Sequence, residues 1–174
     1  MDASAQPLEI AAEALQREAY RPYGDVVAAD PRLPSTSANA GTALRYDHLG
    51  TLDNLRPGKA PPNLCVFRVQ PFTGNPFVIR LLERHRHSTQ LFVPMAGGER
   101  YLVIVCEGKD APDFCTLKAF LARTGQGITY RPGIWHHPLV ALDQSTDFAC
   151  LVHEDGTGDD CEVRDIAPAV RVMY

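Results

Sequence analysis

From Pro62 onward the chain is broken at short, even intervals, and this rhythm limits the folds open to it. Turn signals at Gly74-Asn75, Gly97-Gly98, Gly125-Gln126-Gly127 and Asp143-Gln144-Ser145 separate apolar or alternating runs. The runs are CVFRVQ (65–70), FVIRLLER (77–84), TQLFVPM (89–95), RYLVIVCEG (100–108), GITYR (127–131), HHPLVAL (136–142) and DFACLVH (147–153). Strands this short, at this spacing, predict an all-β sandwich or barrel. TLKAFLA (116–122) fits either a strand or a short helix.

The N-terminal part reads differently. AAEALQREAY (11–20) is rich in Ala, Leu, Glu and Gln and is stopped by Pro22, which predicts a helix. Pro31 to Pro62 reads as loop, and structureless stretches of that length are often functional. At 174 residues the chain suits one domain over 1–174, with helix and loop to about 62 and a barrel from about 63 to 166.

Composition narrows the partners. Seventeen Lys and Arg stand against twenty-one Asp and Glu, and no basic block supplies the positive footprint that nucleic acid requires. No apolar run reaches the roughly 20 residues of a membrane helix, and MDASAQPLEI lacks a signal-peptide pattern. Five cysteines, an odd number with no C-x-x-C pair, read as reduced thiols in a cytoplasmic protein. No G-x-x-x-x-G-K-[ST] or G-x-G-x-x-G occurs, so no nucleotide cofactor is expected. No G-x-S-x-G occurs either, which disfavours an acyl-enzyme hydrolase.

The chemistry concentrates in two segments. In LLERHRHSTQLFVPM (81–95), a strand running on past Arg84 would put Glu83, His85 and His87 on one face and Arg84 and Arg86 on the other. Inside a barrel such groups must be satisfied or used, whereas at a strand end in solvent they cost little. In GITYRPGIWHHP (127–138), His136 and His137 are adjacent, so only one faces the interior, and Trp135 is core by default. Arg68, flanked by apolar neighbours, is either a solvent-facing residue at the barrel mouth or a fork for a carboxylate, and we expect the fork.

Together these segments resemble the two motifs of the cupin superfamily. HRHSTQLFVPMAGG supplies His85, His87 and a Gln90 where a glutamate is usual; GITYRPGIWH supplies Gly127, Pro132, Gly133 and His136. The likeness narrows through ERHRHSTQLFVPM, PDFCTLKAF, GQGITYRPGIWHHPLVAL, TDFACLVHEDG and DDCEV, with AYRPYGDVV and RYDHL upstream. Over roughly residues 6–166 the chain is similar to the ureidoglycolate lyase family. Its pattern falls here on Glu83, Arg84, His85, Thr89, Gln90, Trp135, His136, Asp147 and Phe148. His87 is not part of that pattern.

The resemblance implies a cupin-like antiparallel barrel (a double-stranded β-helix) with a short N-terminal helix, usually a homodimer. The implied reaction splits (S)-ureidoglycolate into glyoxylate and urea. We expect Glu83 or His85 as general base and His136 as the partner acid, with pKa values pushed toward neutrality by burial and proximity. Arg68 and Gln90 orient substrate, Gln90 because an amide gives and takes hydrogen bonds as urea does. Trp135 walls the pocket, and the loop from Asn39 to Arg45 closes over it. The leading reading requires no cofactor. The rival use of these side chains is a divalent metal held by His85, His87 and His136, with Glu83 or Gln90. Nickel is the ion attributed to the family, although the neutral Gln90 is a poor ligand. Two other functions use the same residues: a metal-dependent cupin oxygenase or isomerase, and a non-catalytic cupin that binds small acids.

Overall fold

The computed structural model describes residues 8–174, so the first seven residues, where the signal-peptide reading falls, lie outside it. Two large sheets dominate. The first contains eight strands, seven of them in the order Glu9–Ala11, Glu162–Met173, Phe77–Arg84, Trp135–His136, Arg100–Cys106, Lys118–Arg123 and Glu13–Ala14. The eighth, Val140–Ala141, also pairs with Arg100–Cys106. The second sheet runs Val26–Val27, Gly127–Tyr130, Gln90–Ala96, Thr146–His153 and Pro62–Val69. All its pairings are antiparallel. The result is the all-β, barrel-like fold that the sequence rhythm implies.

Side-chain alternation explains how the sheets meet. Thr146–His153 alternates buried and half-buried positions along its whole length, as a strand with one face on a core must. Between the sheets Val103, Val105 and Phe120 meet Phe92, Ile128 and Phe148. On the far face of the larger sheet Ile79, Leu82, Ile104, Trp135 and Val172 form a second cluster. Arg100–Cys106 is buried on both faces after its first residue, which is why YLVIVC is continuously apolar instead of alternating.

Three expectations need correcting. The predicted helix over 11–20 is cut to Arg17–Tyr20, because Glu9–Ala11 and Glu13–Ala14 pair in parallel with Glu162–Met173 and Lys118–Arg123. Sheet-edge pairing outweighs the helix propensity of alanine and glutamate, which is worth only tenths of a kcal/mol per residue. The expected loop contains a small hairpin, Thr36–Ala38 with Ala43–Arg45. The last strand, Glu162–Met173, carries the sheet past 166. Its alternation is broken near Pro168, and its register shifts between Asp165 and Val170. The ambiguous segment at 116–122 is a strand, Lys118–Arg123. Among the described residues no helix is long and apolar enough to cross a membrane.

Arg84 is buried, and its guanidinium lies 4.2 Å from the centre of the Trp135 ring. Glu162, opposite Arg84 in register, accepts a 2.8 Å hydrogen bond from Arg84 Nε and also pairs with Arg86 and Arg164. Burial alone would raise the Glu162 carboxyl, but the three arginines overcome it and bring it from 4.5 to about 2. A depressed carboxyl contributes its full stability above its unfolded pKa and loses it as pH falls toward the folded one. Thermal unfolding is therefore expected to lose stability steeply between about pH 4.5 and pH 2. Glu162→Gln should melt lower than the parent at neutral pH and show a shallower acid dependence. Parallel melting curves across that window would contradict this account.

Candidate active site

Glu83 is the second-last residue of its strand, and His136 stands directly opposite it in the antiparallel register. Directly opposed side chains leave a sheet on the same face, so carboxylate and imidazole enter the space between the sheets together. His85 joins them from just beyond the strand end. Its carbonyl accepts a 2.8 Å hydrogen bond from the Gly133 N–H. Gly133 has φ +84°, a left-handed turn that costs glycine little, so the Pro132-Gly133 turn fastens one motif to the other.

Both imidazoles are oriented from behind. His85 Nδ1 lies 2.9 Å from the Asp160 carbonyl, and His136 Nδ1 lies 3.0 Å from the Ile134 carbonyl. A carbonyl only accepts, so each Nδ1 carries the proton and each Nε2 is the reactive atom. The Asp160 segment is itself braced: its carboxylate accepts from the Asp155 and Gly156 N–H groups and pairs with Arg56. His136 Nε2 sits 3.5 Å from Glu83 Oε1, an ion-pair distance too long for a hydrogen bond, and has no hydrogen-bond partner among the described residues. The His136 ring lies flat between Tyr130 (centroids 3.9 Å apart, 7° between planes) and His85 (5.8 Å, 18°). The Cys161 thiol approaches Glu83 Oε2 at 3.9 Å.

These groups line a hollow of about 230 Å³, with Gln90 beside them and Phe67, Phe92 and Leu139 as apolar wall. That is below the usual few hundred Å³ of ligand pockets and suits a very small ligand. Burial pushes the His85 imidazole below its ordinary value, and His136 adds to the effect. Burial would raise the Glu83 carboxyl, but proximity to His136, then to His85 and His137, brings it below the usual range. Glu83 is thus held ionised and His85 neutral. The expected drift of Glu83 toward neutrality does not occur, because the neighbouring imidazoles outweigh its partial burial.

The structure brings Glu83, His85, Gln90 and His136 together and leaves the other expected residues elsewhere. The strand ends at Arg84, so His87 falls in a bend alongside residues 53–55 and does not line the hollow. Trp135 faces the opposite side of the sheet from His136, as adjacent strand residues must, and packs in the outer cluster under Arg84. Arg68 is exposed, and its fork is taken up by Asp147 at 2.8 and 2.9 Å; Cys65, Phe67 and Val69 are the residues of its strand that line the hollow. Asn39 and Arg45 belong to the small hairpin, with Arg45 paired to Asp47 at 2.7 Å. Arg45 and Asp47 line a larger cleft, about 700 Å³, with Arg17, Arg21 and Asp25. It lies on the other side of the second sheet: Thr129 accepts at 2.8 Å from the N–H of Asp25, which lines the cleft, while the next residue, Tyr130, lines the hollow. Within the cleft Arg45 pairs with Asp47 and Arg17 donates to backbone carbonyls, while Asp25 pairs with Arg131 outside it.

Sequence reasoning missed Tyr130, Glu154 and Cys161 around the hollow. Tyr130 was legible in principle, since it alternates with Ile128 in GITY and must share a face with its cross-strand partner Gln90.

The same geometry suits a divalent ion. One atom each from Glu83, His85 and His136 lie within 4.8 Å of one another. Two imidazoles and a carboxylate are a common divalent-metal set, and Nδ1–H bonds to carbonyls are the usual outer support. Glu83, not His87, is the third ligand that the fold offers.

The family model described as ureidoglycolate lyase matches residues 7–173. The ureidoglycolate lyase of Burkholderia cepacia is 41% identical over 151 residues, covering 86% of this chain and 82% of that protein. That of Escherichia coli O9:H4 (strain HS) is 38% identical over 152 residues, covering 87% and 91%. Solved structures with a looser likeness include a dTDP sugar isomerase from Desulfovibrio desulfuricans G20, with 16% identity, TM-score 0.49, and coverage of 84% of this chain and 88% of that one.

Calorimetric titration with nickel or manganese should detect one divalent site. Replacing Glu83, His85 or His136 with alanine is expected to weaken it by about tenfold or more, while His87→Ala leaves it unchanged. Sensitivity to His87, or indifference to the other three, would rule out this ligand set.

Proposed function

The chain belongs to the ureidoglycolate lyase family, and from that premise we propose that it cleaves (S)-ureidoglycolate into glyoxylate and urea, a step of allantoin breakdown. The observation that supports this most is the meeting of one carboxylate and two Nδ1-anchored imidazoles in a hollow of about 230 Å³. A non-catalytic acid-binding module has no use for such an acid/base set.

In ureidoglycolate one carbon carries a hydroxyl, a ureido nitrogen and a carboxylate. A base removes the hydroxyl proton, the oxygen's electron pair forms the carbonyl of glyoxylate, and the carbon–nitrogen bond breaks with its pair on nitrogen. A proton delivered to that nitrogen completes urea. His85 suits the base, because it is held neutral with Nε2 free. His136 suits the acid: as imidazolium it faces the Glu83 carboxylate at 3.5 Å and donates from Nε2. Each transfer is worth about 10²–10⁴-fold in rate. No lysine or arginine is among the residues lining the hollow, so the positive charge opposite the substrate carboxylate falls to this imidazolium or to a bound ion. A divalent ion on Glu83, His85 and His136, when bound, would polarise the hydroxyl and neutralise the carboxylate.

We also propose a cytoplasmic homodimer whose partners are the small substrate and a second copy, with no nucleic acid or membrane. Pro62–Val69 supports this. It is the open edge of the second sheet, and its Leu64 and Val66 are exposed. A long apolar edge left bare invites pairing with another chain.

Purified protein given each ureidoglycolate enantiomer, with and without chelator, should release urea and glyoxylate from the S form only. Ammonia in place of urea would mean amide hydrolysis and defeat the proposal, as would no product at all. His136→Ala is expected to lower kcat about 10²–10⁴-fold; near-full turnover would remove that residue from the mechanism. Val66→Glu should convert the dimer to monomer in analytical ultracentrifugation, and an unchanged mass would move the interface elsewhere.

A further inference from the structure

Tyr130 and Gln90 stand directly opposite one another on neighbouring strands, and both side chains line the hollow. Both residues are almost wholly buried, at 2% and 4% exposure. Yet among the described residues the Tyr130 hydroxyl oxygen and Gln90 Oε1 have no hydrogen-bond partner. Buried polar atoms are nearly always paired, and an unpaired one costs stability without return. Two on directly opposed residues of one hollow that already holds acid/base groups point to a ligand that completes both. A tyrosine hydroxyl can donate as well as accept, so it is available as a donor.

We propose that Tyr130 and Gln90 form the end of the hollow that recognises the ureido group: Gln90 Oε1 accepts from a ureido N–H and the Tyr130 hydroxyl donates to the ureido carbonyl. This rests on the lyase reading and extends it to the orientation of the substrate. An amide-type group presents donor and acceptor together, matching this acceptor and donor pair. A carboxylate presents only acceptors, so at this end it would leave Gln90 Oε1 facing another oxygen. The Tyr130 ring lies flat on the His136 ring, which puts the ureido end beside the imidazole that protonates the departing nitrogen. The carboxylate end is left to the positive charge already assigned to it, the His136 imidazolium or a divalent ion held with Glu83 and His85.

The two products test this separately. Urea and glyoxylate are each measured as inhibitors of turnover and as calorimetric ligands of the whole protein. Tyr130→Phe and Gln90→Leu are compared with the parent. Each variant is expected to weaken urea binding by about 10–100-fold, as befits one lost hydrogen bond in a dry site, and to lower kcat/KM on ureidoglycolate by a similar factor. Glyoxylate binding should stay within about threefold. Tyr130→Phe should not lower Tm, since the hydroxyl it removes has no partner among the described residues; a purely structural hydroxyl would lower it. If the parent makes urea but Tyr130→Phe leaves urea binding unchanged, or weakens both products equally, the pairing is wrong and the lyase reading stands. If the parent makes no urea, the pairing falls together with that reading.

Discussion

The site depends on a cross-strand register in which Glu83 lies opposite His136. That one pairing commits a carboxylate and an imidazole to the same interior face, and no loop conformation is needed to hold them there. What remains is orientation, which two backbone carbonyls supply: Asp160 for His85 and Ile134 for His136. Because a carbonyl can only accept, the tautomer is set together with the ring plane. Both Nε2 atoms are therefore presented to the hollow, whether for a proton or for a metal.

The surrounding fold can be read as support for that register. The strand carrying Glu83 is flanked on its other edge by Glu162–Met173, where Glu162 ties Arg84 against Trp135. Arg84 and Trp135 are sequence neighbours of Glu83 and His136 and face the opposite way. The buried stack on the outer face and the acid/base cluster on the inner face thus share one strand pair. The stack resists slippage, since a one-residue shift would bring tryptophan into the hollow and imidazole into the apolar layer. The cluster also has a cost: His136 Nε2, Gln90 Oε1 and the Tyr130 hydroxyl are buried without partners. Groups kept unsatisfied at one place are what a preformed binding site looks like before its ligand arrives.

Much of this was legible in the chain. Strands with clean alternation or long apolar runs, such as FVIRLLER and TDFACLVH, lie where the pattern puts them, and Gly127, Gly133 and His136 keep their motif order. Residues whose position depends on where a strand stops were not legible. His87 was expected to continue an alternation that ends at Arg84, so it leaves the face shared by Glu83 and His85. Alternation itself excludes Trp135 from the hollow when its neighbour His136 faces inside. Arg68 was misjudged because its partner, Asp147, is distant in sequence and adjacent only through strand pairing. Tyr130 is masked by its type: in a strand an aromatic is usually filler, and the face it shares with Gln90 and the missing partner for its hydroxyl are what mark it out.

The central claim concerns proton positions as much as carbon positions. Long-range proton–nitrogen correlation NMR on the uniformly labelled protein reads the tautomer of each histidine directly. The account predicts that His85, when neutral, carries its proton on Nδ1 with Nε2 bare, and that His136 keeps its Nδ1 proton throughout. Addition of glyoxylate should shift the Nε2 signals of both. A neutral His85 protonated on Nε2, or Nε2 signals at 85 and 136 that ignore the product, would contradict it.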